Sequence, residues 1–261
     1  MPQLLNDIPI LSYHKISSQL EFGLNTLPPD RFRQQLIYLK DQGFKTITFR
    51  EILDDNIPPH PLIITFDDGY ASVYQQALPV LQEFGFRAVI FIITDYIGKA
   101  NTWDANLLSI KFFHLDGSQI KTLVGAGMEI GSHGVSHRAL TFLPPEQLEY
   151  ELRCSRERLT ALVGKEIITF AYPFGIQNPA VQKAVQQAGY SFACMNMRGT
   201  GRKSNQYCLP RIPVYRTDSW FSFKNKLQPG FGRWLEISKL RLISWPACLT
   251  PIYQKFFKKL Y

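Results

Sequence analysis

Two adjacent carboxylates, Asp67 and Asp68, stand where an apolar segment of the chain meets Gly69. Residues 61 to 64 are typical of a buried strand of a parallel sheet, and residues 70 to 84 carry apolar side chains at helical spacing. Carboxylates side by side at the mouth of a buried strand repel each other, and a bound cation is the simplest group that neutralises them. Taken alone, the pattern favours a turn in which Asp68 caps the following helix and Gly69 relaxes the backbone, with a metal site as the alternative.

Two histidines four residues apart, His133 and His137, favour the metal site. If they lie on one face of a helical turn, both imidazoles reach one ion. With Asp68 they supply the two nitrogens and one carboxylate oxygen of an open catalytic site, which leaves coordination positions for water and substrate. This donor set predicts Zn²⁺, with Co²⁺, Ni²⁺ or Mn²⁺ as alternatives. The competing interpretation is a pair of surface-loop histidines beside Gly and Ser.

Three motifs taken together are more specific than any one of them. The segments TFDDG at residues 65 to 69, SHGVSH at 132 to 137 and FAYPFG at 170 to 175 resemble the first three motifs of the polysaccharide deacetylases, carbohydrate esterase family 4, whose domain is also called NodB-type. ILSYH at 10 to 14 and LPRI at 209 to 212 are similar to the branch that includes the poly-N-acetylglucosamine deacetylases. The resemblance implies an α/β fold, a distorted (β/α) barrel of about seven parallel strands with outer helices.

The resemblance also implies a chemistry, the metal-dependent hydrolysis of an N-acyl group on a sugar. Asp68, His133 and His137 match the metal ligands of the family, and Asp67 matches its general base. The backbone N–H of Phe174, in a turn fixed by the preceding proline, matches the donor that stabilises the oxyanion. Hydrolysis of an amide needs these groups and, in addition, an acid that protonates the leaving amine.

Two departures from the common family pattern affect that assignment. Most members carry an Arg where this chain has Ala171, and most have a Leu-x-His near the end, whereas this chain has no histidine after His137. Arg211 is the candidate for the charge that orients Asp67, with an ordinary surface arginine as the alternative. The general acid must also come from another part of the chain.

Elimination among the five histidines selects His14 as the acid. Two of the five are ligand candidates, His60 lies in a proline-rich loop before a strand, and His114 lies in a stretch with no motif. His14 directly follows an apolar strand, and an imidazole with a pKa near 6.5 suits proton donation to an amine. The alternative is a histidine packed beside Tyr13.

Three residues are candidates for contact with the sugar. Tyr172 and Pro173 belong to the third motif, and Trp103 precedes an acidic residue in the middle of the chain. A tryptophan in the core is the alternative for Trp103.

Three functions are compatible with these residues. The first is a metal-dependent N-deacetylase acting on the N-acetylhexosamine residues of a glycan or glycolipid. The second is a deformylase or amidase acting on a lipid-linked or small amino sugar. The third is a non-catalytic carbohydrate-binding relative, which the full set of acid, base and ligands argues against.

Alternating strands and helices must position these residues. Helices are predicted from Pro28 to about Gly43, from 70 to 84, from Pro144 to Val163 and from Asn178 to Gly189, each with Pro or Gly at an end. Repeated alternation predicts a parallel sheet, closed or nearly closed, whose carboxyl ends share one rim. Strands are predicted at Pro9–Tyr13, Thr46–Phe49, Leu62–Phe66, Ala88–Ile93, Met128–Ile130, Ile167–Ala171, Ser191–Cys194 and Arg211–Val214.

Basic residues are concentrated near the C-terminus. Residues 221 to 261 hold eight Lys and Arg against one Glu, which accounts for +7 of the net charge of +8, and nine aromatic residues are interleaved with them. We predict a catalytic domain at residues 1 to 220 and a basic aromatic extension at residues 221 to 261. An anionic membrane surface is a candidate partner of the extension. The alternative is an extension packed back onto the barrel, and no nucleic-acid partner is expected.

Compartment is predicted from three absences in the sequence. No apolar run reaches the roughly 18 residues of a membrane span, and residues 1 to 14 lack the early positive charge and unbroken apolar core of a signal peptide. The four cysteines show no Cys-x-x-Cys spacing, which favours reduced thiols. Together they predict a cytoplasmic protein, or one held peripherally at a membrane.

Overall fold

A computed structural model describes residues 8–19, 24–102, 111–196, 205–228, 232 and 236. Within these residues, ten strands follow one another: β1 (Ile10–Tyr13), β2 (Lys15–Ile16), β3 (Thr26–Leu27), β4 (Lys45–Thr46), β5 (Pro61–Phe66), β6 (Val89–Ile92), β7 (Glu129–Ser132), β8 (Thr169–Ala171), β9 (Phe192–Asn196) and β10 (Leu209–Pro213). The described part of the chain also holds seven α-helices: α1 (Pro29–Asp41), α2 (Phe49–Leu53), α3 (Leu78–Phe84), α4 (Gly117–Gly125), α5 (Pro145–Val163), α6 (Pro179–Gln187) and α7 (Trp220–Leu227).

Seven of the strands close into a parallel barrel. They are hydrogen-bonded in the order β1, β10, β9, β8, β7, β6, β5. The ring closes where β1 pairs with β5, from Ile10 opposite Ile63 to Tyr13 opposite Phe66. This confirms the predicted (β/α) barrel, and the carboxyl ends of all seven strands meet at one rim.

The barrel is distorted where two strands share one edge of β5. The short strand β4 pairs with the start of β5, with Thr46 opposite Leu62, whereas β6 pairs with its end, with Phe66 opposite Ile90. The contact between β5 and β6 is therefore short. The small strands β2 and β3 form a separate pair beside the rim.

Side chains on successive strand residues point alternately into and out of the barrel. In β5, Ile63 packs in one core cluster with Val89 and Phe91 inside the barrel. Its neighbours Leu62 and Ile64 belong to a second cluster between the strands and the outer helices. Because the period is two residues, the parity of a position in a strand decides whether its side chain faces the interior.

The helices begin and end largely where the sequence predicts. Prolines occupy the first turns of α1, α5 and α6, and Gly164 ends α5 in the left-handed conformation. Two boundaries were wrong. The helix predicted from residue 70 begins as a π-helical turn, Val73–Ala77, and α3 itself starts at Leu78. Phe49, predicted to end a strand, is the first residue of α2, because Thr48 and Glu51 form a capping box there. The helix α4, which Asp116 caps, was not predicted.

The first part of the predicted extension packs on the barrel. Phe223 and Leu227 of α7 are buried in the cluster beneath the outer helices. The hydroxyl of Ser222 hydrogen-bonds the carboxylate of Glu236. Most of residues 221 to 261 lies outside the described residues, so the division at residue 220 and the membrane partner stay predictions. Within the described ranges, no helix has the length and apolar character needed to cross a bilayer.

Candidate active site

Residues distant in the sequence meet at the rim of the barrel. His14 follows β1, Asp67 and Asp68 follow β5, and His133 follows β7. The alternation of side chains along a strand turns Asp67 toward the barrel interior, because it lies four residues after the inward-facing Ile63 of β5. The closed barrel therefore brings these predicted site residues together.

Asp68, His133 and His137 form a compact group that we call the metal group. The Nε2 atoms of His133 and His137 each lie 3.5 Å from Asp68 Oδ1. One donor atom from each residue lies within 4.8 Å of the other two, and all three residues are buried. Ligands bound about 2.0–2.2 Å from one tetrahedral zinc stand about 3.4 Å apart. The group therefore fits a single divalent ion.

The protonation of His133 is suited to metal binding. Its Nδ1 lies 2.7 Å from the carbonyl oxygen of Ala171. Because a carbonyl only accepts, Nδ1 carries the proton and Nε2 presents its lone pair to the group. Burial lowers the pKa of His133 and lowers the pKa of His137 further, so both imidazoles are neutral at neutral pH.

Arg211 lies inside the barrel and pairs with Asp67 through two parallel hydrogen bonds. Its Nη1 and Nη2 donate to Asp67 Oδ1 and Oδ2, each at 2.6 Å, and its side chain is fully buried. Burial raises the pKa of Asp67, but the Arg211 guanidinium and the other groups around the carboxylate together lower it more, so the net shift is downward. The two adjacent carboxylates therefore have different partners, with Asp67 neutralised by Arg211 and Asp68 facing the histidines.

His14 lies beside the same carboxylate. Its Nε2 is 3.9 Å from Asp67 Oδ2, and its side chain is 15% exposed, so it can reach a ligand in the site. Burial lowers the pKa of His14 to about 4, although Asp67 opposes the shift. A neutral His14 at neutral pH has to acquire a proton before it can donate one.

Three residues of the site adopt left-handed backbone conformations without being glycine. They are Asp68 (φ 67°), His137 (φ 58°) and Phe174 (φ 59°). Such conformations persist only where the surroundings hold them, and they are concentrated at functional sites. Phe174 lies in the turn Pro173–Gly175, and its ring is 4.6 Å from that of His137 between centroids. Its role as oxyanion donor stays a prediction.

The residues predicted to contact sugar are placed differently from one another. Tyr172 is fully buried in the cluster beneath the helices, and its hydroxyl donates to the carbonyl of Tyr207 at 2.8 Å. The interpretation of Tyr172 as a sugar-binding side chain is therefore wrong, because parity in β8 turns it away from the site. Pro173 is buried within the turn, and its role is untested. Trp103 lies outside the described residues.

Sequence reasoning missed Glu151, which holds the loop of the second motif. The buried carboxylate accepts the N–H groups of Val135 at 2.7 Å and Ser136 at 3.0 Å, and also the hydroxyl of Ser136. A side chain at Gly134 would meet this carboxylate, since a Cβ there would lie 2.9 Å from Glu151 Oε2. The available signal was helical spacing, because Glu151 falls on the face of α5 that carries the buried Leu152.

No motif surrounds His114, yet it contacts a residue of the metal group. Its Nδ1 lies 2.8 Å from the carbonyl oxygen of Asp68, so Nδ1 carries a proton and donates it. The buried ring stacks on Tyr70 with centroids 4.8 Å apart. This contact holds the left-handed backbone of Asp68, and nothing in the sequence near His114 indicates it.

Asn196 is a further residue that the sequence analysis did not single out. Its Oδ1 accepts from Arg211 Nη2 at 3.2 Å. Parity in β9 places it on the same side as Phe192 and Cys194, which face the interior. The parity of β9 therefore contained the signal.

Comparisons with known proteins return polysaccharide deacetylases. A family model described as polysaccharide deacetylase matches residues 54–193. The Bacillus subtilis (strain 168) protein YxkH, whose name assigns it to the polysaccharide deacetylases, is 32% identical over 213 residues, 79% of this chain and 71% of that protein. The poly-beta-1,6-N-acetyl-D-glucosamine N-deacetylase of Staphylococcus aureus (strain MSSA476) is 25% identical over 256 residues, 87% of this chain and 84% of that protein.

Solved structures share the fold. A polysaccharide deacetylase from Bacillus cereus superposes with a TM-score of 0.72 and 27% identity, over 85% of this chain and 69% of its own. The Streptococcus pyogenes deacetylase PplD, in complex with acetate, gives a TM-score of 0.73 and 24% identity, over 85% of this chain and 98% of its own. At that identity, the second likeness shows the fold alone.

We predict that Arg211→Met destabilises the protein, because it leaves Asp67 as an unpaired buried charge. Breaking a buried pair in this way typically lowers the free energy of unfolding by about 3–5 kcal/mol. In the native protein the folded pKa of Asp67 is depressed, so the pair contributes stability above the unfolded pKa of about 3.9 and loses it as the pH falls through the folded pKa. Without Arg211, burial raises the folded pKa of Asp67, and the deficit should shrink towards acidic pH.

Urea unfolding at pH 7 and pH 4.5 measures this effect. Arg33→Met is the matched control, because Arg33 pairs with Glu83 at an exposed site and should contribute little. An Arg211→Met protein as stable as the native one at pH 7 would contradict the prediction.

We also predict that His114→Ala weakens metal binding, because Asp68 loses the donor that holds its carbonyl. Loss of such supporting contacts typically costs about 10–100-fold in metal affinity. His114→Phe keeps a ring on Tyr70 but removes the donor, and it should show a similar loss. Competition for Zn²⁺ against a chelator provides the measurement, with His60→Ala, in an exposed loop, as control. Native affinity in His114→Phe would reduce His114 to a packing role.

Proposed function

Because the chain belongs to the polysaccharide deacetylase family, hydrolases that act on amide bonds, we propose that it removes N-acetyl groups from N-acetylhexosamine residues of a glycan. The relative from Staphylococcus aureus, which its name describes as acting on poly-beta-1,6-N-acetyl-D-glucosamine, makes a β-1,6-linked chain the first substrate to test. The metal group supplies the ligands of one divalent ion.

One observation carries the proposal: the metal group and a carboxylate held by a buried arginine stand at one rim. Asp68, His133 and His137 offer three donors to an ion, while Asp67 is occupied by Arg211 and stays out of that donor set. A divalent ion held by these three residues would polarise the acyl carbonyl and lower the pKa of an attacking water. This division of the two carboxylates is what a hydrolase needs.

Asp67 serves as the general base. Its depressed pKa keeps it ionised, so the basic form is always available, although a carboxylate paired with Arg211 is a weak base. Such a base transfers a proton well only when that proton is passed on quickly. Arg211 fixes the direction of both carboxylate oxygens, which keeps Asp67 oriented toward the water.

His14 is the group that passes the proton to the leaving amine. Its Nε2, 3.9 Å from Asp67, is neutral in the resting site and can take up the proton that the base has received. Proton donation then follows as the carbon–nitrogen bond breaks. The backbone N–H of Phe174 donates to the oxygen that becomes negative during attack.

We predict that His133→Ala and Asp67→Asn fail in different ways. His133→Ala should lose both bound metal and turnover, because a ligand is removed. Asp67→Asn should keep the metal and lose turnover by ~10²–10⁴-fold, the usual effect of removing a general base. Metal content and acetate release from β-1,6- and β-1,4-linked N-acetylglucosamine oligomers measure both effects, with and without chelator.

The control is His60→Ala, which alters an exposed histidine outside the rim. Loss of metal from Asp67→Asn would show that Asp67 is the metal ligand and Asp68 the base, the reverse of the proposed roles. Native protein that holds metal but releases no acetate from any oligomer would overturn the proposed activity. Release of formate from N-formyl sugars would then favour a deformylase.

We predict that the loss of activity caused by His14→Ala depends on the leaving group of the substrate. An amine must be protonated as it leaves, whereas the phenolate of an activated acetyl ester leaves without a proton. His14→Ala should therefore lower kcat on an N-acetyl sugar by ~10²–10⁴-fold, with native metal content, and should affect hydrolysis of an activated ester much less. Equal losses on both substrates would show that His14 does not act as the acid.

A further inference from the structure

Residues 134–136 join the two histidines of the metal group, and we call them the histidine loop. Its first two carbonyl oxygens, those of Gly134 and Val135, accept the N–H groups of two residues that follow β6. Thr94 donates to the first at 3.1 Å, and Asp95 donates to the second at 3.0 Å. One side of the histidine loop is therefore bound to the neighbouring part of the rim.

The other side of the histidine loop is held by one carboxylate, that of Glu151 on α5. Its Oε2 accepts the N–H groups of Val135 at 2.7 Å and Ser136 at 3.0 Å. Its Oε1 accepts the hydroxyl of Ser136. Three donors of one short loop therefore converge on one side chain.

Glu151 is buried without a basic partner. The residue is 3% exposed, and within the described ranges no Lys, Arg or His side chain forms an ion pair with it. A buried carboxylate lowers the stability of the fold unless hydrogen bonds satisfy its oxygens. The donors of the histidine loop satisfy both oxygens, so the carboxylate and the loop depend on each other.

The turn of α5 that carries Glu151 is anchored to the barrel. The Ser155 hydroxyl donates to the carbonyl of Glu151 at 2.6 Å and lies 2.8 Å from the Ser132 hydroxyl, which donates to it. The Tyr190 hydroxyl donates to the carbonyl of Leu152 at 2.9 Å. Since Ser132 ends β7, the position of the carboxylate is fixed relative to the strand that leads into the metal group.

His137 needs such support more than an ordinary loop residue. Its backbone is left-handed (φ 58°), a conformation that a residue with a side chain keeps only when its surroundings hold it. Ser136, which bonds Glu151 through both its N–H and its hydroxyl, directly precedes it. Restraint of Ser136 therefore restrains the direction in which the His137 imidazole leaves the loop.

We propose that Glu151 is a positioning residue of the metal group, which holds His137 in place before an ion binds and so raises the affinity for metal. This inference rests on the metal binding of the proposed function. A ligand that is already held in its bound position loses less conformational freedom on binding. Loss of contacts that support metal ligands typically costs about 10–100-fold in metal affinity.

Three substitutions of Glu151 separate hydrogen bonding from packing and from charge. Glu151→Met keeps the size but offers only a weak acceptor, and it should weaken Zn²⁺ binding about tenfold or more. Glu151→Gln loses the charge, but its amide oxygen can accept both backbone N–H groups while its NH₂ donates to the Ser136 hydroxyl. It should bind Zn²⁺ nearly as tightly as the native protein. Glu151→Asp keeps the charge but is one methylene shorter, so it should lose affinity.

Two measurements on metal-loaded protein report these effects without any substrate. Competition for Zn²⁺ against a chelator gives the affinities. The visible absorption spectrum of the Co²⁺-loaded protein reports the arrangement of the ligands, and it should change in Glu151→Met and stay native in Glu151→Gln. Circular dichroism of the metal-free proteins shows whether each variant is folded.

Matched controls lie on the same helix. Glu149 and Glu157 are exposed on α5 and pair with Arg153, one turn away on either side. Methionine at either position should leave the Zn²⁺ affinity and the Co²⁺ spectrum unchanged.

Native affinity in Glu151→Met, or in Glu151→Asp if the methionine variant does not fold, would overturn the inference. A loss in Glu151→Gln equal to that in Glu151→Met would also overturn it, because the charge and not the hydrogen bonds would then be responsible. Acetate release by the native protein would leave the proposed function standing in both cases. Weakened metal binding in Glu151→Met supports the inference even if no acetate is released, whereas a native protein that binds no Zn²⁺ would overturn both.

Discussion

The ion pair between Arg211 and Asp67 is the contact on which the rest of the site depends. Both side chains are almost completely enclosed, and a charge in that position is tolerated only when it is paired and hydrogen-bonded. The two parallel hydrogen bonds satisfy the Asp67 carboxylate and fix its direction at the same time. With Asp67 accounted for, Asp68 alone of the adjacent aspartates faces the two histidines.

Closure of the barrel makes this arrangement possible. Each strand contributes every second residue to a shared interior, so Arg211 on β10 and Asp67 after β5 meet although 144 positions separate them. Gly131 shows how full that interior is, because a Cβ there would lie 2.5 Å from the Phe91 ring. A filled interior leaves the rim as the place where polar side chains can reach a ligand.

Much of the fold and part of the site could be predicted from the sequence. Strand and helix alternation, with proline and glycine at the ends, was sufficient for the barrel and most helices. The motifs were sufficient to select the metal group. Because the motif-three arginine is missing, Arg211 was the candidate for the charge that orients Asp67.

What could not be predicted depended on contacts between distant segments. His114 reaches Asp68 only because residues 112–115 form backbone hydrogen bonds with residues 98–101 and 69–71 beside the rim. No local sequence pattern indicates that pairing. Glu151 and Asn196 were accessible in principle from helical face and strand parity. The same parity would have corrected Tyr172, whose motif suggested the site, because Tyr172 follows β8 and lies on the same side as Phe170, facing the outer helices.

The left-handed backbones of Asp68, His137 and Phe174 have an evolutionary consequence. A side chain in that conformation costs about 1–2 kcal/mol relative to glycine, which adopts it without strain. The free energy of unfolding of a native domain is only about 5–15 kcal/mol, so three such positions lower it by a considerable fraction. Selection for thermal stability alone would tend to replace these side chains with glycine. Only a role in the site would offset that cost, and a chain with no use for the site should lose these side chains early.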